Sequence, residues 1–252
     1  MPTSLQGQTA VIYGAGGAIG GAVARAFSRH GATLHLTGPN RASLEIQAES
    51  IKKAGGQWGV AIVDALDERA IEAHLATIER VDISFNAVGF DEVQGVPIID
   101  LTLSDFEFPI ASWSRTVFLT SRAAARRMVQ QKSGVILTVK PGNEGTAYAS
   151  GFGAAVAAVA SISQTLAAEV ARHGVRVFIL QPNALPESAS LQKSFRKYAA
   201  GAGIDPESAL ADYERSAEFG RLPRLDEVGE IAAFLVSDTA AMMAGSTIAI
   251  GR

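Results

Sequence analysis

Three observations predict a three-layer α/β fold, a doubly wound parallel sheet with helices on both faces. Short apolar runs alternate with helical patterns from end to end, a glycine-rich turn joins the first such pair, and no repeat or low-complexity linker interrupts the order. Strand-helix-strand units close right-handedly and lay each helix back on the sheet, so the alternation implies parallel strands. The chain has 252 residues and is 48% hydrophobic, which suffices for one large core in a single domain spanning 1–252.

The elements follow in order. Thr9 to Tyr13 reads as a buried strand, and Ala22 to His30 as a helix with Val23, Ala26 and Phe27 on one face. Thr33 to Thr37 is the next strand, Ala42 to Ala54 a helix, Gly59 to Asp64 a strand and Glu68 to Ile78 a helix. Asp82 to Val88 is a strand, followed by a long helix near Trp113 to Gln131, the strand Gly134 to Val139 and a helix near Gly153 to His173. Val175 to Leu180, the helix Val228 to Val236 and the strand Ser246 to Ile250 complete the pattern.

Residues 182–223 depart from this rhythm. They are polar and helix-prone, with Asp205-Pro206-Glu207 as an N-cap and first turn and Tyr198, Tyr213 and Phe219 as aromatic contacts. An insertion after a late strand lies over the carboxyl ends of the strands, so a lid or substrate-pocket segment is expected.

Composition excludes several function classes. A net charge of -3 and a pI near 5.8 leave no basic footprint for nucleic acid. With no cysteine, disulfides, thiolate nucleophiles and cysteine metal sites are ruled out. His30, His35, His74 and His173 show no paired ligand spacing, so no metal site is expected. Met1 to Gly7 lacks a charged stretch and an apolar run of leader type, and no uninterrupted apolar run reaches bilayer length. A soluble, cytoplasmic protein with no membrane partner is the expectation.

The run Tyr13-Gly14-Ala15-Gly16-Gly17-Ala18-Ile19-Gly20-Gly21 points to a nucleotide phosphate. Glycines between strand and helix allow a sharp turn and a close approach to pyrophosphate, and the helix start offers unpaired N–H groups. Gly14, Gly16, Gly17, Ile19 and Gly20 are the candidate contacts. Their spacing departs from the six-residue dinucleotide fingerprint, and a tight turn that binds nothing is the alternative.

Several further motifs accompany this loop. They are Val63-Asp64, the strand Asp82-Ile83-Ser84-Phe85-Asn86-Ala87-Val88-Gly89, Leu166-Ala167-Ala168-Glu169 with His173-Gly174-Val175-Arg176-Val177, Gln181-Pro182-Asn183, and Arg221-Leu222-Pro223 with the helix from Val228. Together with the glycine loop, in which Tyr13 and Ala18 replace a threonine and a glycine, their order resembles the short-chain dehydrogenase/reductase family across nearly the whole chain. The resemblance implies a Rossmann-type, NAD(P)-dependent oxidoreductase of small carbonyl or alcohol substrates. It also implies cofactor contacts at Asp64, Ala65, Asn86, Ala87, Gly89, Pro182 and Asn183. Assembly as a homodimer or homotetramer is implied through the small-residue helix from Gly153.

The catalytic positions depart from the family. Its tyrosine lies about seventeen residues before the glutamate matched by Glu169, and its lysine four later; these positions are Phe152 and Val156. The serine position falls on Lys140 or Pro141, and the helix asparagine on Trp113 or a neighbouring serine. Phenylalanine has no proton to donate, and losing a positioned general acid costs roughly 10²–10⁴-fold in rate. Tyr148 and Lys140 are the candidate replacements, Lys140 having solvent as its alternative destination. Ser150-Gly151 makes no nucleophile elbow.

After the second strand, Leu36-Thr37-Gly38-Pro39-Asn40-Arg41 offers no acid for a ribose 2′-hydroxyl. Thr37 and Arg41 join the candidate contacts, with Arg41 placed for a 2′-phosphate, which favours NADP over NAD. Arg122, Arg126 and Arg127 are expected on an exposed helix face or a subunit contact. The functional readings are an oxidoreductase with an altered proton relay, a non-catalytic nucleotide-binding homologue, and a redox-neutral lyase or hydratase in the same pocket.

Overall fold

The computed structural model describes residues 3–142 and 145–251. Strand β1 (Thr9–Tyr13) leads through the glycine run to α1 (Ala18–Arg29), then β2 (Thr33–Gly38), α2 (Arg41–Lys53), β3 (Gln57–Ile62), α3 (Glu68–Ala76) and β4 (Ile83–Asn86). There follow α4 (Leu103–Gln131), β5 (Gly134–Val139), α5 (Phe152–Val170), β6 (Val175–Pro182), α6 (Ala189–Ala202), α7 (Pro206–Ser216), α8 (Leu225–Val236) and β7 (Thr247–Ile250). All strand pairs are parallel, in the order β3-β2-β1-β4-β5-β6-β7. The order reverses between β1 and β4, and the crevice at their carboxyl ends is where such a sheet receives a ligand.

Alternation along each strand sends residues to two cores. Ala10, Ile12, Phe85, Leu137 and Phe178 pack with Val23, Phe27 and Val228 of α1 and α8 on one face. Val11, Tyr13, Ile136 and Val177 pack with Ile71, Leu119 and Met128 of α3 and α4 on the other. Helices α1 and α8 approach closely, because a Cβ on Gly229 would stand 2.8 Å from the Ala22 carbonyl oxygen.

Several expectations are corrected here. Strand β3 begins and ends two residues earlier than expected, because it pairs with β2 from Thr33↔Gln57 to Gly38↔Ile62, leaving Asp64 beyond the ladder. Helix α1 starts at Ala18, so Gly20 and Gly21 lie within its first turns. Helix α4 starts ten residues before Trp113: Thr102 caps it by accepting from the Asp105 N–H, and Pro109 is accommodated inside. The proline masked this start, since it removes a helix donor and usually ends the pattern. Helix α5 with its terminal 3₁₀ turn (Phe152–His173) has a mean hydropathy of 1.4 and is long and apolar enough to span a bilayer by length and composition. Scattered serine, glutamine and threonine hid this from a search for uninterrupted apolar runs; in the fold the helix packs against α4 and β6.

The arginines of α4 act within the chain. Arg122 pairs with Glu68, Arg126 with Glu72 at 3.0 Å, and Arg127 donates to the carbonyls of Leu75, Ile78 and Glu79, clamping α3 to α4. Residues 182–223 form the helical pair α6 and α7, with Asp205 accepting from Ser208 N–H at 2.8 Å and Pro206 in the first turn, as expected. Tyr198 and Tyr213 both contact the Phe195 ring, whereas Phe219 is 85% exposed and is not among the ring contacts.

Candidate active site

The glycine loop is held from beneath by β2. The Gly14 and Ala15 N–H groups both donate to the Thr37 carbonyl, at 3.0 and 3.1 Å, and Gly17 N–H donates to Gly14 O at 3.0 Å. Thr37 is fully buried and its hydroxyl donates to Ile12 O at 3.0 Å. Gly14 has φ +77, and a Cβ there would lie 2.6 Å from Ala87 O. On Gly20 a Cβ would stand 2.2 Å from Gly14 O. The loop and the start of α1 are therefore compressed to glycine spacing. Gly17 caps α1 without a side-chain bond, leaving the first-turn N–H groups directed at the crevice. Ile19, in the first turn of α1, packs onto the core.

Other expected contacts surround this cradle. Arg41 opens α2, exposed and 3.6 Å from Glu45 within the same helix. Ser43 closes against the loop, since a Cβ on Gly16 would meet its Oγ at 2.3 Å. Asp64 is exposed and accepts from Leu66 N–H at 2.9 Å, with Ala65 buried beside it. Asn86 is buried: its amide donates to Thr120 Oγ1 at 2.8 Å, and its Oδ1 accepts from Val88 N–H at 3.0 Å. It ties β4 to α4 and shapes the turn that carries Ala87 and Gly89. Gly89 faces open space. Pro182 ends β6, while Asn183 bonds to Ile250 O and Gly251 O, fastening the β6 end to the last strand.

Tyr13 points away from the cradle into the α3 and α4 core, where its hydroxyl is buried without a partner and burial raises its pKa. Lys140 is 4% exposed, so it turns inward rather than to solvent. Tyr148 is half-buried, and its ring meets Tyr198 of α6 at 6.2 Å. Tyr148 and Ser150 both have left-handed backbone, φ 62 and φ 56, an unfavourable conformation concentrated just before α5. Asn143 and Glu144, in the same connection, lie outside the described residues.

A protein named dehydrogenase/reductase SDR family member 6 from Rattus norvegicus is 30% identical over 249 residues, covering 98% of this chain and 96% of its own length. A family model described as enoyl-(acyl carrier protein) reductase matches residues 14–251. The chain belongs to the short-chain dehydrogenase/reductase family. An NAD⁺-bound xylitol dehydrogenase shares the family fold with a TM-score of 0.93, at 22% identity and 98% coverage of both chains. An actinorhodin polyketide ketoreductase with NADPH has a TM-score of 0.89 at 20% identity, covering 100% of this chain and 98% of its own.

Phe152, where the resemblance implies a tyrosine, packs edge to face on Trp113, 5.2 Å between ring centroids. Val156 is fully buried in the same cluster with Val117, Ala155 and Val159, and Phe90 contacts Trp113 at 6.2 Å.

A titratable group missed in the sequence stands beside this cluster. Glu92, three residues past Gly89, is 5% exposed; Oε1 accepts from Gln94 at 2.8 Å and Oε2 is buried without a partner. Burial raises its pKa, opposed by hydrogen bonding from its own backbone and Gln94, by the Trp113 indole N–H and by the Lys197 charge. Its only sequence signal was an acid directly after the β4 turn. Helix α6 closes over this segment. Lys193 and Lys197 both pair with Asp91, Lys197 also donates to Glu92 O at 3.0 Å, and a Cβ on Gly201 would stand 1.9 Å from Gly95 O.

Proposed function

We propose that this chain is an NADP(H)-dependent oxidoreductase of a small carbonyl or alcohol, working without the family's tyrosine and lysine. The observation that carries the reading is the glycine cradle: Gly14 and Gly20 leave no room for a Cβ, and the first-turn N–H groups of α1 suit a pyrophosphate. A nicotinamide dinucleotide bound there supplies hydride chemistry. Gly14, Gly16, Gly17 and Gly20 approach its phosphates, Asp64 and Ala65 lie toward its base, and the Ala87 to Gly89 turn borders the crevice. Arg41, exposed and paired at the surface with Glu45, is positioned to meet a 2′-phosphate, and the end of β2 offers no acid that would prefer a 2′-hydroxyl.

Fluorescence titration with NADPH and NADH tests this. Saturation by NADPH at the lower concentration is expected, with Arg41→Ala narrowing the difference. No binding of either at millimolar concentration overturns the reading.

A second reading, a nucleotide-binding homologue without catalysis, is favoured by the packed Trp113–Phe152–Val156 cluster. It predicts NADPH binding with no oxidation of the bound cofactor by any carbonyl.

A further inference from the structure

We propose that Glu92 is the proton donor that replaces the missing tyrosine, handing its carboxyl proton to the oxygen of a bound carbonyl substrate. The inference rests on the oxidoreductase reading above and assigns its relay.

The carboxyl lies at the carboxyl end of β4, on the segment that continues from the Ala87 to Gly89 turn. Trp113 links it to the vacated catalytic position: its indole N–H influences Glu92 from one side, and its ring packs on Phe152 from the other. Neither Trp113 Nε1 nor Glu92 Oε2 makes a hydrogen bond of regular geometry, so the buried carboxyl oxygen is opposed there by the indole N–H alone and keeps unused bonding capacity. A buried carboxyl with unused bonding capacity is costly, and a substrate oxygen would complete it.

The chemistry balances. Hydride addition to the carbonyl carbon, with reduced nicotinamide dinucleotide as the two-electron reductant, breaks the C=O π bond and leaves an alkoxide. The Glu92 Oε2–H bond breaks, the new O–H bond forms, and the alcohol leaves a carboxylate that water reprotonates. A carboxyl held above its ordinary pKa keeps its proton nearer to neutral pH, which suits a general acid. The groups facing it are Gln94 on its own segment, Trp113 from α4 and Lys197 from α6, with Asp91 and Lys193 joined to Lys197 at the rim.

Three measurements on the whole protein test the proposal. In a Trp58→Phe background Trp113 is the one remaining tryptophan, and its emission is expected to titrate with a midpoint above the usual carboxylate range. Glu92→Gln is expected to abolish that titration. With benzaldehyde, cyclohexanone and ethyl acetoacetate as probes, Glu92→Gln is expected to lower kcat roughly 10²–10⁴-fold. Its NADPH affinity is expected to stay within about twofold, since nothing at the cradle changes. Glu92→Asp retains an acid and is expected to keep part of the rate and a kcat that falls as pH rises through the carboxyl pKa. Unchanged turnover in Glu92→Gln, or reduction of none of the probes by NADPH-saturated wild type, overturns the Glu92 assignment while leaving cofactor binding intact. Failure of wild type to bind NADPH overturns the oxidoreductase reading itself.

Discussion

Trp113 of α4 and Phe152 of α5 meet edge to face with 67° between their planes. Val156 is buried in the same cluster, with Val117, Ala155 and Val159. The substitutions support one another in packing, so each separate reversal carries a cost.

Returning the family residues singly is expected to destabilise the fold. Phe152→Tyr adds a hydroxyl to a 5% exposed position and is expected to cost about 1–3 kcal/mol if it finds no partner. Val156→Lys places an ammonium at a fully buried position and is expected to cost more. Urea unfolding of both variants gives the ranking directly, and a Val156→Lys midpoint above that of Phe152→Tyr would contradict it.

The glycine cradle makes a sharper prediction. Gly20→Ala brings a Cβ to 2.2 Å from Gly14 O, and Gly14→Ala combines a 2.6 Å approach to Ala87 O with a positive φ. Each is expected to destabilise by about 1–3 kcal/mol through forced backbone movement. Each is also expected to weaken NADPH binding at least tenfold. Gly89→Ala meets nothing within 4 Å, so its stability is expected to stay within about 0.5 kcal/mol of wild type.

The α6 latch depends on acid. Hydrogen bonds from Lys193, then Lys197, hold the Asp91 carboxyl down at about 2. Its stabilising effect is present above the unfolded carboxylate value of about 3.9 and fades as pH falls toward about 2. Asp91 is exposed, so Asp91→Asn is expected to change global stability little. Faster hydrogen exchange along α6, with α1 unaffected, is the expected signature. Equal exchange in wild type and variant would dissociate the latch from the helix.

His35 of β2 and His74 of α3 meet edge to face, with ring centroids 5.6 Å apart. Burial, followed by the His35 charge, pushes the His74 imidazole down to about 4. An unfolded chain takes up that proton as pH falls through about 6.5, whereas the folded chain resists until about 4. Stability is therefore expected to decline across that interval and to level off below it. His74→Gln is expected to flatten the decline in urea midpoints between about pH 7 and pH 4.5. An unchanged slope would show that other groups govern it.

Much of this was legible in the chain. Strands β1 and β5 fall on the expected residues because both are apolar runs bounded by turn signals. The Asp205 cap was readable because a side chain that bonds two or three residues ahead needs no tertiary partner. The start of α4 was not, since Pro109 imitates a helix end and only the surrounding packing shows that it is tolerated.

The sequence by itself determined the doubly wound order, the glycine cradle and the absence of tyrosine and lysine at positions 152 and 156, because each follows from local pattern or residue identity. Only the tertiary structure decided that Tyr13 and Thr37 face inward, that Arg122, Arg126 and Arg127 clamp α3, and that Trp113 and Phe152 fill one another's space. Burial and side-chain pairing depend on elements far apart in the chain, so no local pattern records them. The carboxyl of Glu92 is the clearest case: in the sequence it is one acid among 25 acidic residues, and enclosure by β4, α4 and α6 makes it a buried acid with an unpartnered oxygen.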